Sequence, residues 1–303
     1  MNSKAPIVVG VGELLWDFLP SGRQLGGAPA NFAYIASVLG YESVVASRIG
    51  ADDLGKEASA KLSALGVSSR YLQEDSIHPT GRVLVEVDQE GQPKFEIVEP
   101  VAWDFLEWFE SWQKLAQLTD AVCFGSLAQR SPQSRRTIRN FLRETRREST
   151  RVFDVNLRQS FYSAEVISES LRMASIAKFN HDELPIIANL LGIGSANEES
   201  AARELLNVYS LELVCITRGA SGSLLVNRTE SHEHPGIGVQ VADTVGAGDA
   251  FTAGLVHGFL QGASLEAMSD LANRMGAWVS SQPGAMPARS TLGNIELGAN
   301  NRS

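Results

Sequence analysis

Ala121-Val122-Cys123-Phe124-Gly125, then Pro132 to Arg147, then Arg151-Val152-Phe153-Asp154-Val155, then Ser163 to Ser175 and Ile176 to Phe179: this passage decides the fold. Each short apolar run has the length of a buried strand, and each longer stretch has the period of a helix packed on one side. Strand–helix units repeated in this way predict a mostly parallel sheet covered by helices on both faces. The rhythm extends toward the C-terminus. Leu213-Val214-Cys215-Ile216-Thr217 reads as a strand with Gly222 to Asn227 as its hairpin partner, and Ala247 to Leu260 and Leu265 to Val279 read as apolar helices. Toward the N-terminus, Ile7-Val8-Val9-Gly10-Val11 reads as a buried strand and Val44-Val45-Ala46 as a second. The helices between are Ala30 to Leu39, ended by Gly40, and Asp53 to Leu65, stopped by Gly66.

From about Val67 to Ile97 the rhythm breaks. Val83-Leu84-Val85-Glu86-Val87-Asp88 and Pro93-Lys94-Phe95-Glu96-Ile97 flank a polar turn at Gln89-Glu90-Gly91-Gln92. Alternation around such a turn predicts an antiparallel hairpin. The expected architecture is one three-layer α/β domain over residues 1–303, with a small β lid drawn from about 12–26 and 67–105. Val85, Phe95 and Ile97 are candidate lid contacts, although an alternating hairpin always has an inward face. The polar tail from Arg289 is expected to be loosely held.

Composition narrows the class. A chain of 303 residues with 44% hydrophobic and 20% charged positions can bury one large core. The net charge of -9 is spread along the chain, which argues against nucleic acid or an anionic membrane as main partner. Cys123 and Cys215 lie inside apolar runs and read as buried thiols of a reducing compartment. The run Ile7 to Val11, closed by Glu13, is too short for a signal peptide, so a cytoplasmic protein is expected.

Chemistry is concentrated in Gly246-Ala247-Gly248-Asp249-Ala250-Phe251, where a loop turns into an apolar helix. Small residues let main-chain N–H groups approach an anion, and the helix start adds its positive end. Donors placed this way stabilise a charged transition state by roughly a hundred- to a thousandfold. Asp249 is aimed at the same space, where a carboxylate can take a hydroxyl proton, worth roughly a hundred- to ten-thousandfold. An anion hole beside a base is what phosphoryl transfer to an alcohol requires. An isolated Asp in a first turn would be explained by the helix dipole alone; the glycines favour catalysis.

Three other patterns are decoys. Gly50-Ala51-Asp52-Asp53-Leu54-Gly55-Lys56-Glu57 nearly matches a P-loop, but Glu57 replaces the Mg²⁺-binding hydroxyl and the two aspartates would repel phosphate. Gly10-Val11-Gly12 hints at a dinucleotide fold, yet Leu15 occupies the third glycine position. His232-Glu233-His234 lies in a polar stretch without further ligands nearby and reads as a solvated loop.

Asp243-Thr244-Val245-Gly246-Ala247-Gly248-Asp249-Ala250-Phe251 resembles the C-terminal signature of the ribokinase-like (PfkB) sugar kinases. Gly26-Gly27-Ala28-Pro29-Ala30-Asn31-Phe32-Ala33, with Gly50 to Gly55, resembles the N-terminal signature of the same family, in the same order and at a similar separation. Gly12-Glu13, Pro79-Thr80-Gly81 and Ala102-Trp103-Asp104 look most like the bacterial fructokinases within it.

The resemblance implies a role for each matching residue. Asp17, Gly26, Gly27 and Asn31 would hold sugar hydroxyls, with Phe95 on the lid, and Asp249 would be the base. Gly246, Ala247 and Gly248 would form the anion hole, and Arg158 would reach the reacting phosphate or the substrate. Asn180 and Glu183 match an Asn-x-x-Glu that organises Mg²⁺ and its waters. Thr217, Gly219 and Gly222 resemble the nucleotide-binding turn, with Asn273 facing adenine or packing in its own helix. Asp243 and Thr244, with the Ser280 to Gly284 loop, resemble a K⁺ site. The implied substrates are ATP and a sugar: fructose first, then 2-keto-3-deoxygluconate, ribose or a nucleoside. A non-catalytic sugar- or nucleotide-sensing module on the same fold is the rival reading, and the chain is expected as a monomer or homodimer.

Overall fold

The computed structural model describes residues 5–19, 22–87 and 93–293. The chain opens with β1 (Ile7–Val11), then forms the hairpin β2 (Leu15–Leu19) and β3 (Gly22–Gly26), α1 (Ala28–Val38), β4 (Glu42–Gly50), α2 (Asp53–Ala64) and β5 (Leu72–Asp75). A second hairpin follows, β6 (Gly81–Val87) and β7 (Pro93–Ile97), then α3 (Glu110–Leu118), β8 (Ala121–Phe124), α4 (Pro132–Glu144), β9 (Thr150–Asp154), α5 (Ala164–Met173) and β10 (Ile176–Asn180). The last third holds α6 (Glu183–Leu191), α7 (Glu198–Tyr209), β11 (Leu213–Thr217), β12 (Ser223–Asn227), β13 (Ser231–His234), α8 (Ala247–Leu260) and α9 (Leu265–Ser280).

Among the described residues, nine strands form one sheet in the order β13-β12-β11-β10-β9-β8-β1-β4-β5. It is parallel from β11 to β5, and β12 pairs antiparallel with both its neighbours. Successive side chains point to opposite faces, so each strand feeds two cores. Val9, Phe124, Phe153, Phe179 and Ile216 pack with α3 to α7 on one face. Val8, Val45, Cys123, Val152, Cys215 and Leu225 pack with α1, α2, α8 and α9 on the other. Both cysteines are buried and free. Among the described residues, no helix is long and apolar enough to cross a membrane.

The lid is a separate four-stranded sheet in the order β3-β2-β6-β7. Its two hairpins are antiparallel, but β2 and β6 pair in parallel, so the lid is a mixed sheet rather than an antiparallel flap. The expected turn at residues 89–92 lies outside the described residues. Asp52 explains the P-loop decoy: its Oδ1 caps α2 by accepting from Gly55 N at 2.8 Å and from Thr80 Oγ1 at 2.6 Å. A carboxylate used in this way fastens the start of α2 to the base of the lid.

Two readings need correction. The segment with His232, Glu233 and His234 is the sheet-edge strand β13, polar because edge strands face water. Arg289 is not loosely held: Nη2 donates to Ser37 Oγ at 2.9 Å and Leu65 O at 3.2 Å. Residues 294–303 lie outside the described residues.

Candidate active site

The C-terminal ends of β9 and β10 lie against the first turns of α8 through Asp154 and Lys178, at the position where open α/β sheets bind ligands. Gly246 lets α8 begin there. Its φ is +78°, and a Cβ would collide with the Ala285 side chain, so only glycine fits. Ala247 N donates back to the Thr244 carbonyl, while the Gly248 amide in the first turn has no acceptor within the helix and is a potential anion donor.

Asp249 stands in that first turn and its Oδ2 accepts from Asn31 Nδ2 at 2.8 Å. Asn31, only 4% exposed, sits in the opening turn of α1, so one hydrogen bond joins the two signature segments. Asp249 is only part-buried, although protein atoms crowd its carboxyl closely. Burial, and next the charge of Asp154, push its carboxyl up to about 6; Asn31, Lys178 and Arg158 pull the other way. Such a group is ionised at neutral pH yet keeps appreciable affinity for a proton, as a general base should.

Asp17 on β2 lies across the cleft. Its carboxylate rests against Gly26, where any Cβ would strike Oδ2, and burial lifts it to about 6. Gly27, at φ +108°, passes over Glu13, where a Cβ would come 2.5 Å from the Glu13 carbonyl oxygen. Arg158 is exposed in the turn after β9 and lowers the pKa of Glu13, Asp17 and Asp249 alike. The turn is conformationally costly, with Asn156 at φ +44° and Gln159 at φ +48° on either side of the arginine.

The other expected residues divide. Glu183 is buried, and its two oxygens accept from Leu157 N and Asn180 N, both at 2.8 Å. Asn180 Oδ1 accepts from the Glu183 amide, so the pair braces the ends of β9 and β10 and would meet a metal through water. Thr217 closes β11, and Gly219 and Gly222 adopt φ of +57° and +81° in the turn beyond it; a Cβ at Gly222 would overlap the His234 carbonyl. Asp243 accepts from Val245 N at 3.0 Å and Gly284 N at 3.1 Å, while Ala242 N and Asp243 N donate to Ser280 O. The Thr244 carbonyl accepts from Ala247 N at 3.3 Å, so the Asp243–Thr244 and Ser280–Gly284 segments do meet.

Three further residues are placed by their contacts. The Asn273 amide is buried in α9 with Nδ2 donating to Ser223 Oγ at 2.9 Å and Ser269 O at 2.8 Å, which is helix-to-strand packing. Ile97 belongs to the core rather than the lid face. Phe95 is 53% exposed, and its carbonyl accepts from Gln159 Nε2 at 2.9 Å. The side chain of Val85 lies outside those described.

Four residues escaped the sequence reading: Glu13, Asp154, Lys178 and Thr252. Glu13 is 2% exposed, its Oε2 has no partner, and burial raises its carboxyl to about 7. Asp154 and Lys178 form a buried ion pair, and Thr252 Oγ1 bonds Asp154. A charge inside Ile176-Ala177-Lys178-Phe179 was the available signal, since lysine is almost never buried unpaired.

A part-buried carboxylate beside main-chain donors at a helix tip, with a second carboxylate on the small sheet, is an arrangement that suits phosphoryl transfer to an alcohol. Residues 22–292 match the pfkB family carbohydrate kinases, and the chain belongs to that family. It is 31% identical to an Escherichia coli fructokinase over 304 residues, covering 92% of this chain and 94% of that one. A sugar kinase of Pyrococcus horikoshii in complex with ATP superposes with a TM-score of 0.79 at 28% identity, over 94% of this chain and 96% of the other. A double-mutant fructokinase of Vibrio cholerae with fructose, ADP and potassium ion superposes with a TM-score of 0.80 at 26% identity, over 96% and 98%.

Proposed function

We propose that this carbohydrate kinase transfers the γ-phosphate of ATP to a primary hydroxyl of fructose. The observation that carries the proposal is the part-exposed Asp249 carboxylate, held by Asn31 in the first turn of α8 beside Gly246 and Gly248. Asn31 Oδ1 and Glu13 Oε2 are buried acceptors without donors, which suits a ligand rich in hydroxyls. Asp17 and Asn31 orient the sugar. Asp249 accepts the proton of the attacking hydroxyl as its oxygen bonds to the γ-phosphorus, and the bond to the bridging oxygen breaks with its electron pair leaving on ADP. The amides at Gly246 to Gly248 and the Arg158 guanidinium receive the developing negative charge. Closure of β2, β3, β6 and β7 over the sugar excludes water and suppresses ATP hydrolysis.

Among the described residues no group of three or more His, Cys, Asp or Glu is placed to hold a metal ion. Mg²⁺ would be held through water by Asn180 and Glu183, and when bound it neutralises phosphate charge. The joined Asp243–Thr244 and Ser280–Gly284 segments suit K⁺ through carbonyl oxygens. The test is ADP release with ATP, Mg²⁺ and a panel of fructose, 2-keto-3-deoxygluconate, ribose and a nucleoside. Fructose should give the highest kcat/KM. A faster rival replaces fructose, and sugar binding without ADP release favours the sensor.

A further inference from the structure

Beneath the tip of α8 lies an ion pair outside the bond-making steps. Lys178 and Asp154 face each other in the β9–β10 ladder and are 6% and 3% exposed. Lys178 Nζ donates to Asp154 Oδ1 at 3.1 Å and Oδ2 at 3.3 Å. Asp154 Oδ2 also accepts from Thr252 Oγ1 at 2.7 Å, and that hydroxyl lies 2.9 Å from the Gly248 carbonyl. On the other side, the ammonium approaches Gly248 so closely that a Cβ there would stand 3.1 Å from Nζ. Apolar side chains would join two core strands without the desolvation that this pair suffers. Its placement therefore asks for a reason beyond packing.

We propose that Lys178 and Asp154 are positioning residues of phosphoryl transfer: Asp154 fixes the first turn of α8 through Thr252, and Lys178 holds a permanent positive charge directly behind the glycine loop. In a water-poor interior such a charge is weakly screened and already oriented when the transferred phosphoryl group gains negative charge. The same pair acts on the base. The groups facing Asp249 are Asp154 from β9, Lys178 from β10, Arg158 from the turn after β9, Glu13 beyond β1, Cys123 on β8 and Asn31 on α1. Of the pair, Asp154 disfavours the ionised base and Lys178 favours it, so the two halves oppose one another.

The test uses Asp154→Asn, Lys178→Met and the double variant, with kcat followed across the acidic limb of the pH profile. The inference rests on Asp249 as base, so its own titration is also read by ¹³C-carboxyl NMR in each protein, which needs no turnover. Removing Asp154 should carry the midpoint of Asp249 to lower pH, and removing Lys178 should carry it higher, each by roughly one pH unit. The plateau kcat of Lys178→Met should fall about tenfold. Midpoints that stay put, or move in the same direction, overturn the proposal. Loss of one charge leaves the other buried and strongly destabilising. If Lys178→Met does not fold, the double variant compared with Asp154→Asn isolates the lysine, and equal plateaus and midpoints refute its role. Should Asp249→Asn keep full turnover, the base assignment fails, while the NMR midpoints still decide the pair.

Discussion

Replacing Asp249 by Asn separates the chemistry of the site from its folding. The carboxamide has the same shape and can present its oxygen to Asn31 Nδ2, so the contact between α1 and α8 survives. What is lost is a base, and the expected fall in kcat is about a hundred- to ten-thousandfold, or roughly 3–5 kcal/mol in the barrier. Stability should move the other way. Burial lifts the native carboxyl to about 6, above the ordinary aspartate value of 3.8. The ionised form is therefore worse placed in the fold than in the unfolded chain, by up to about 3 kcal/mol at neutral pH. Asp249 is only part-buried, which reduces this to roughly 1–2 kcal/mol.

The sign follows from linkage. A carboxyl whose native pKa is raised penalises folding as pH rises from the unfolded value through the folded one, so wild type should lose stability from 3.8 to about 6. Asp249→Asn lacks that loss: it should match wild type at the acid end and melt a few degrees higher, about 2–4 °C per kcal/mol, above the native pKa. ADP-release kinetics and thermal melts at a series of pH values read both effects. Near-normal turnover would refute the base. Identical melts at every pH would refute the electrostatic account.

Asn31→Ala removes the hydrogen bond to Asp249 and the proposed sugar contact; KM for sugar should rise roughly tenfold with KM for ATP little changed, measured in the same assay. Gly222→Ala puts a methyl into the His234 carbonyl at a left-handed φ of +81°, and is expected to lower stability by about 1–3 kcal/mol and weaken ATP binding, read by thermal melt and calorimetry. Glu183→Gln sets an amide NH₂ against Leu157 N or Asn180 N; a loss of about 1–3 kcal/mol is expected in a denaturation curve, with KM for ATP raised and KM for sugar unchanged.

The layered sheet was legible because Ala121 to Val155 repeats one unit with uniform apolar strands, and parallel pairing leaves few ways to arrange such units. The glycines of the α8 tip were legible because their spacing has no other economical explanation. The elements missed were those whose cause is tertiary. β5 and β13 are short and polar because they lie at sheet edges. α3, α6 and α7 were overlooked among mixed segments, and only the packed core shows that Trp112, Leu184 and Leu205 face inward. Glu13 looked like the residue that ends an apolar run; that it is buried beneath Gly27, with one oxygen unpaired, depends on a contact between segments. Asn273 shows the converse, a polar residue in an apolar helix whose partner, Ser223, is fifty positions away.

Because β2 leaves the end of β1 and meets β6 only after β3, α1, β4, α2 and β5 have intervened, the two halves of the lid are far apart in the chain. A lone hairpin is marginal in water, and joining the two hairpins costs the closure entropy of the long segment between them, which the native β1–β4 pairing shortens. Until β6 pairs with it, the β2–β3 ribbon has an open edge. A single parallel pairing, β2 with β6, thus ties two distant hairpins into one sheet.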